Sequence, residues 1–174
     1  MVQSDPSCPD IAAAHAVVID AFYFFFRRHI DEKQNFNFGK IDEKQFEWLK
    51  QKLSEISKDH FICLVSHIPI LSICSGLFFN KTEVNGDLII KRNLMHSDFF
   101  ELKKLFNEYT NIKTCLSGHI HLQDEVHYHN ISYFCNGAIS GNWWKGSFQE
   151  FDPAYAIFEF YEDGTFKREM KNFG

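Results

Sequence analysis

HFICLVSHIPI, residues 60–70, is an unbroken apolar run that gives way to Ser66, His67 and, two residues on, Pro69. A run this short, rich in branched side chains, reads as a strand buried on both faces. The residue before a proline is pushed out of helical geometry, so Ser66-His67-Ile68-Pro69 predicts the strand's end and sets His67 just past its tip. A second run, Ile112 to Leu116, is followed at once by Ser117-Gly118-His119-Ile120-His121. A third, Ala16 to Phe22, contains Asp20 near its end, an acid that needs a partner if buried. In layered α/β folds ligands bind at the carboxyl ends of such strands, so these groups are expected on one rim.

Around these strands the pattern changes period. Arg27 to Lys40 is polar, with Asn, Asp and Gly, and reads as a surface loop. Asp42 opens a helix in which Phe46, Leu49, Leu53 and Ile56 recur at spacings of three and four, while Lys44, Glu47, Lys50 and Lys58 fall elsewhere. LFFNKTEVNGDLIIK, residues 77–91, sets an Asn-Gly pair between apolar runs and predicts a hairpin or a long loop. Ser97 reads as the cap of a further helix to about Tyr109, with Glu101 favourable in its first turn. Asp124 to Phe134, interrupted at Asn130, reads as two short strands or one kinked strand, and Tyr155–Tyr161 with Thr165–Met170 as a hairpin across Glu162-Asp163-Gly164. This order of elements is an α+β or layered α/β pattern.

The chain has 174 residues, enough for one well-buried core and short for two. Apolar content of 45% and charged content of 24% belong to a globular protein rather than a disordered one. The formal charge of -5, with basic and acidic residues interleaved, provides no basic stripe to follow a phosphate backbone, which argues against nucleic acid as a partner. The apolar run from Ile11 to Ile19 is interrupted by His15, is too short to span a bilayer and lacks a basic segment before it, so no membrane segment or signal peptide is expected. A start leading straight into AVVIDAF reads as a cut or an alternative beginning inside a fold. The five cysteines show no CxxC spacing and read as small buried hydrophobes.

Histidine serves both as a neutral metal ligand and as an acid or base near neutrality. In an extended or turning segment residues i and i+2 point the same way, so His119 and His121 can present two rings to one volume while Ile120 packs elsewhere; Gly118 lets the backbone approach that volume. Imidazole suits zinc and iron, and carboxylates suit manganese or magnesium. A histidine among nine also fits a surface or hydrogen-bonded core position, and His15, His29, His60, His96, His127 and His129 are read that way. His127 and His129 share the i, i+2 spacing on an expected strand. Trp143 and Trp144 are adjacent, so their rings diverge: one is expected to line a cleft or interface, unless both cover core edges.

HFICLVSHIPI, TCLSGHIHLQD (114–124) and ISYFCNGAISGNWW (131–144) resemble the C-terminal half of the calcineurin-like metallophosphoesterases. FGKIDEKQFEWLKQKL (38–53) resembles the loop and helix that precede the SHxP strand in that family, and the likeness runs from about Val17 to Phe166. The resemblance implies that residues 1–174 form a single domain, the C-terminal portion of a catalytic domain with a four-layer α-β-β-α fold and mixed β-sheets. It implies divalent metal ions (Mn, Fe, Zn or Mg), His67 and His119 holding one and His121 the other. Phosphomonoesters or diesters would be hydrolysed, two ions typically about 3.5–4 Å apart clamping the phosphate and activating a water. Asn142, Trp143 and Trp144 would contact the organic part of a small-molecule or headgroup phosphoester.

The family's DxH, GD and GNH motifs, which supply the bridging carboxylate and the remaining ligands, are absent before His67. Asp20 does not occupy the bridging place. Three neutral ligands split between two ions lack the number and the charge to hold a dinuclear cluster. An inactive fragment of an active enzyme is therefore expected, with no catalytic residue assigned in this chain. The alternatives are a non-catalytic binding or assembly module derived from the fold and a mononuclear site held by all three histidines. Missing strands would leave sheet edges open, so a homo-oligomer is expected.

Overall fold

The computed structural model describes residues 15–19, 39–79 and 81–173. Asp20, the FYFFF run at Phe22–Phe26 and Cys8 lie outside the described residues.

The central element is a five-stranded mixed sheet in the order β1-β2-β5-β7-β6, built from β1 (His15–Ile19), β2 (Ile62–Ser66), β5 (Ile112–Ser117), β6 (Gln123–Tyr128) and β7 (Ile131–Asn136). β1, β2, β5 and β7 run parallel, and β6 closes the sheet antiparallel to β7. Leu64 pairs with Cys115 and Val65 with Leu116, which brings the carboxyl ends of β2 and β5 to the same side of the sheet. The β6–β7 connection consists of His129 and Asn130, both with positive φ (49° and 62°), the handedness that a two-residue hairpin requires. The expected break at Asn130 is therefore a turn between two full strands.

Helix α1 (Glu43–Glu55) begins where the sequence places it: Asp42 caps it by accepting from Gln45 N at 2.7 Å. Its Leu49 and Leu53 are fully buried against Ile62, Leu64, Ile112, Ile131 and Tyr133 of the sheet. A second helix, Cys74–Leu77 (α2), is a single turn inside the stretch that carries no helical period. The Asn85-Gly86 pair does turn a hairpin between β3 (Lys81–Thr82) and β4 (Leu88–Ile89), with Gly86 at φ 90°.

Helix α3 (Phe99–Phe106) is shorter than the sequence predicts, and Ser97 is not its cap. Ser97 instead donates to the Gly39 carbonyl. Asp98 holds the capping position but turns away from its own helix: one carboxylate oxygen accepts from Ile41 N at 3.0 Å and the other contacts His96 Nδ1 at 2.9 Å. The buried His96–Asp98 pair thus ties the entry of α1 to that of α3, an outcome set by tertiary burial rather than by local capping preference. Leu102, Leu105 and Phe106 of α3 join α1 on one face of the sheet.

The opposite face receives a two-stranded ribbon, β8 (Ala154–Phe160) and β9 (Phe166–Asn172). Phe158 and Phe166 pack edge-on to Phe134 at 5.4 and 5.6 Å, and Arg168 lies over the same ring at 4.7 Å. Helices, five-stranded sheet and ribbon make a layered mixed α/β arrangement. Cys63, Cys74, Cys115 and Cys135 are buried free thiols, as the sequence predicts for apolar positions.

Leu64 is fully buried at the centre of β2, the strand that delivers His67. Leu64→Ala is expected to cost about 2–5 kcal/mol by lost burial plus a residual cavity, read from urea unfolding; a loss under about 1 kcal/mol would contradict the packing described.

Candidate functional site

The parallel pairing of β2 and β5 decides which histidines meet. His67 is the first residue after β2, and His119 follows β5 by two. Their rings meet edge to face with centroids 4.7 Å apart, and His67 Nε2 lies 2.8 Å from His119 Nδ1. One of these nitrogens donates and the other accepts, so two neutral imidazoles suffice. The two backbones are joined as well, by Gly118 N donating to His67 O at 3.2 Å.

The GHxH segment is not extended. His119 and His121 both have φ of 61°, and Ile120 N returns to Gly118 O at 2.7 Å, closing a three-residue turn about His119. Left-handed backbone at a residue with a side chain is strained, and such positions concentrate at functional sites. Ile120 packs into a second core with Leu94, Leu122, Cys74 and Cys135, an anchorage that helps hold the turn. A Cβ on Gly118 would meet no heavy atom within 4 Å beyond its chain neighbours, so among the described residues no close approach requires glycine at this position.

His121 faces a different partner. Its Nδ1 is 2.6 Å from the Gly141 carbonyl, which can only accept, so in the neutral tautomer that this contact selects the proton sits on Nδ1 and Nε2 carries the lone pair. A ring nitrogen held by a backbone carbonyl is the usual support for a metal-ligating histidine. Trp143 lies against the same ring, centroids 4.8 Å apart, and contacts Phe148 at 5.6 Å.

The loop carrying Asn142, Trp143 and Trp144 is tightly cross-tied: Asn142 N donates to Gly146 O at 2.8 Å and Trp144 N to Ser140 O at 2.6 Å. Trp143 and Trp144 both have positive φ (50° and 67°) and are 61% and 78% exposed. Trp143 therefore flanks His121 with much of its ring open, while Trp144 points its larger share to solvent. Neither tryptophan is buried as a core edge.

Burial, then the neighbouring His67, hold the His119 pKa below the ordinary value of 6.5; a hydrogen bond to the Asn93 main chain acts in the opposite direction. His127 lies on the strand surface between Glu125 (2.9 Å) and Ser132 (2.8 Å). The hydrogen-bonding partners that sequence reading missed are Asp124, Ser72 and Cys74: one Asp124 oxygen accepts from Ser72 Oγ at 2.7 Å and from Cys74 N at 2.9 Å. No spacing signal in the sequence links residues about fifty apart.

Two nitrogens on one zinc ion at about 2.0–2.1 Å in tetrahedral geometry lie about 3.3 Å apart. The His67–His119 contact would need to open by roughly half an ångström and lose its shared proton to admit such an ion. Yet among the described residues no group of three or more His, Cys, Asp and Glu side chains is gathered to hold a metal. These residues offer part of a coordination sphere and do not complete one.

A layered α/β sheet with imidazoles at parallel strand tips defines the class of arrangement. No protein-family model matches the chain, and no curated protein sequence does. Among solved structures, GAP50, described as the anchor in the inner membrane complex of Plasmodium, aligns with a TM-score of 0.54 at 18% identity over 92% of this chain and 45% of that one. A dimetal phosphatase from Danio rerio aligns with a TM-score of 0.48 at 14% identity over 76% of this chain and 35% of that one. The GAP50 likeness is one of fold alone, and the lower score of the second is too weak to argue from. The chain spans less than half the length of either. Among the described residues no helix is long and apolar enough to cross a membrane.

Two outcomes test this geometry. A Cβ at Gly141 (φ 47°) would stand 2.4 Å from Gly146 O and 2.8 Å from Pro153 Cγ. Gly141→Ala should therefore destabilise the chain by more than about 1 kcal/mol, and imidazole NMR should show His121 released from its carbonyl; an unshifted His121 resonance would contradict the contact. Because the folded His119 resists the proton that the unfolded chain takes up near 6.5, the unfolded state binds more protons below that pH. In chelator-treated protein, stability should fall as pH drops through this window, and less steeply in His119→Asn; equal slopes would contradict the burial of the ring.

Proposed function

We propose that this chain is the histidine-bearing C-terminal portion of a calcineurin-like metallophosphoesterase domain of four-layer α-β-β-α architecture, and that the complete domain is a metal-dependent phosphoester hydrolase. The observation that carries this reading is the 2.8 Å approach of His67 Nε2 to His119 Nδ1 across two parallel strand tips, in SHxP and GHxH contexts. The lone pair left on His121 Nε2 supports a third ligand at the neighbouring position. A divalent ion held there would polarise a phosphoryl oxygen and lower the pKa of a bound water. The remaining ligands, carboxylates among them, belong to the DxH, GD and GNH motifs that these 174 residues lack, so the 174-residue chain alone is inactive in this reading.

Trp143, beside His121 with an open face, would pack on the organic part of a small-molecule or headgroup phosphoester, with Asn142 and Trp144 flanking it. The native ion, whether Mn, Fe, Zn or Mg, follows from the ligands that complete the set.

A second reading, a non-catalytic binding or assembly module derived from the same fold, is favoured by the incomplete ligand set among the described residues and by the likeness to a protein described as an anchor. Self-association through open sheet edges belongs to this reading, since β1 and β6 end the five-stranded sheet among the described residues.

The discriminating experiment extends the protein to include its upstream segment and assays bis(4-nitrophenyl) phosphate with Mn2+. Hydrolysis should appear, and fall by at least about 100-fold in His67→Ala and in His119→Ala. Undiminished turnover in both variants overturns the hydrolase reading. No turnover in the extended wild type, with a dimer or larger species in sedimentation, selects the assembly module.

A further inference from the structure

The histidines sit on two separate loops, and a single carboxylate joins the far ends of both. Asp124 is three residues past His121, at the start of β6, while Ser72 and Cys74 lie five and seven residues past His67. One Asp124 oxygen takes the Ser72 hydroxyl at 2.7 Å and the Cys74 amide at 2.9 Å, and the other takes the Glu125 amide at 2.9 Å. Cys74 Sγ adds a weak contact to the Gln123 carbonyl at 3.7 Å.

The tie continues inward. Ser72 Oγ accepts from Ser75 N at 3.1 Å, and Ser75 Oγ donates to the Leu94 carbonyl at 2.8 Å. Ser72, Cys74, Ser75 and Leu94 are all buried, so these bonds are shielded from water and their loss would strand polar groups. Asn93, one residue before Leu94, contacts His119 through its main chain. At the near end, Gly118 N bonds His67 O. The two imidazole-bearing loops are thus braced at both ends, with Asp124 as the distal fastener.

We infer that Asp124 is a positioning residue: through Ser72 and Cys74 it sets the separation of His67 and His119. This rests on the site reading proposed above and assigns the carboxylate no contact with substrate or metal. A charged acceptor suits the task, because bonds to an ionised oxygen are stronger than neutral ones and one oxygen serves two donors here. Asparagine retains one acceptor oxygen, and alanine retains none.

The test uses the metal-free chain with 15N-labelled histidine. The wild type should show nitrogen–nitrogen coupling across the His67–His119 hydrogen bond and a slowly exchanging ring N–H. Asp124→Ala should lose both signals while the amide resonances of β8 and β9 stay in place; Asp124→Asn should keep them. A merely structural brace would lower the melting temperature in Asp124→Ala and leave the coupling intact, which would overturn the inference. Should Asp124→Ala fail to fold, Ser72→Ala decides, since it removes the hydroxyl link to Asp124, and with it the acceptor of Ser75 N, while leaving the Cys74 amide bond to the carboxylate in place: weakened coupling supports the role, and unchanged coupling overturns it. Absence of the coupling from the wild type would refute the imidazole pair itself. Loss of coupling in Asp124→Ala, with no hydrolysis by the extended wild type, would refute the hydrolase reading and leave the positioning role standing.

Discussion

The parallel ladder between β2 and β5 is the constraint on which the site depends. Parallel strands put their carboxyl ends on one side, and the register of Leu64 with Cys115 and Val65 with Leu116 fixes how far each tip extends. With that register, the residue after β2 and the turn after β5 must come within hydrogen-bonding distance. A slip of one residue would turn every side chain of the strand to the opposite face, moving Leu64 out of the core as well as moving His67. Burial of Ile62, Leu64, Ile112 and Cys115 under α1 and α3 is therefore what keeps two polar rings together.

The rings themselves are held by unequal means. His67 and His119 satisfy each other, and burial favours the neutral form of His119. His121 is satisfied by a carbonyl that can stand where it does only because residue 141 is glycine. Strain is collected in the same neighbourhood: His119, His121, Trp143 and Trp144 all occupy left-handed backbone. A tight mesh of backbone bonds across residues 138–146 stabilises that conformation, and it leaves two indoles largely in solvent. Such an arrangement suits contact with something outside the described residues better than it suits core packing.

Much of this was legible in the chain. The apolar runs ending at Ser66 and Ser117 declared two strands, and the three- and four-residue spacing from Phe46 to Ile56 declared α1, because both periods report directly on which face is buried. The Asp-Gly turn declared its hairpin, while the Asn-Gly pair left a hairpin and a long loop both open. Local signals failed where tertiary contacts decide: Ser97 has the chemistry of a cap, but the Asp98 carboxylate is engaged by the Ile41 amide, 57 residues away in the chain, and by the neighbouring buried His96. The pairing of His67 with His119 followed from topology, whereas the turn of His121 toward Gly141, and the link from Asp124 to Ser72 and Cys74, have no local pattern to announce them.

The central claim is that His67 and His119 form one unit able to exchange a shared proton for a metal ion. Titrating the chain with Zn2+ while following the imidazole nitrogens of all nine histidines tests it directly. The account predicts that the His67 and His119 resonances move together, with proton release, at lower zinc than those of the surface residues His127 and His129. Movement of the surface histidines first, or of His67 and His119 independently of each other, would contradict it.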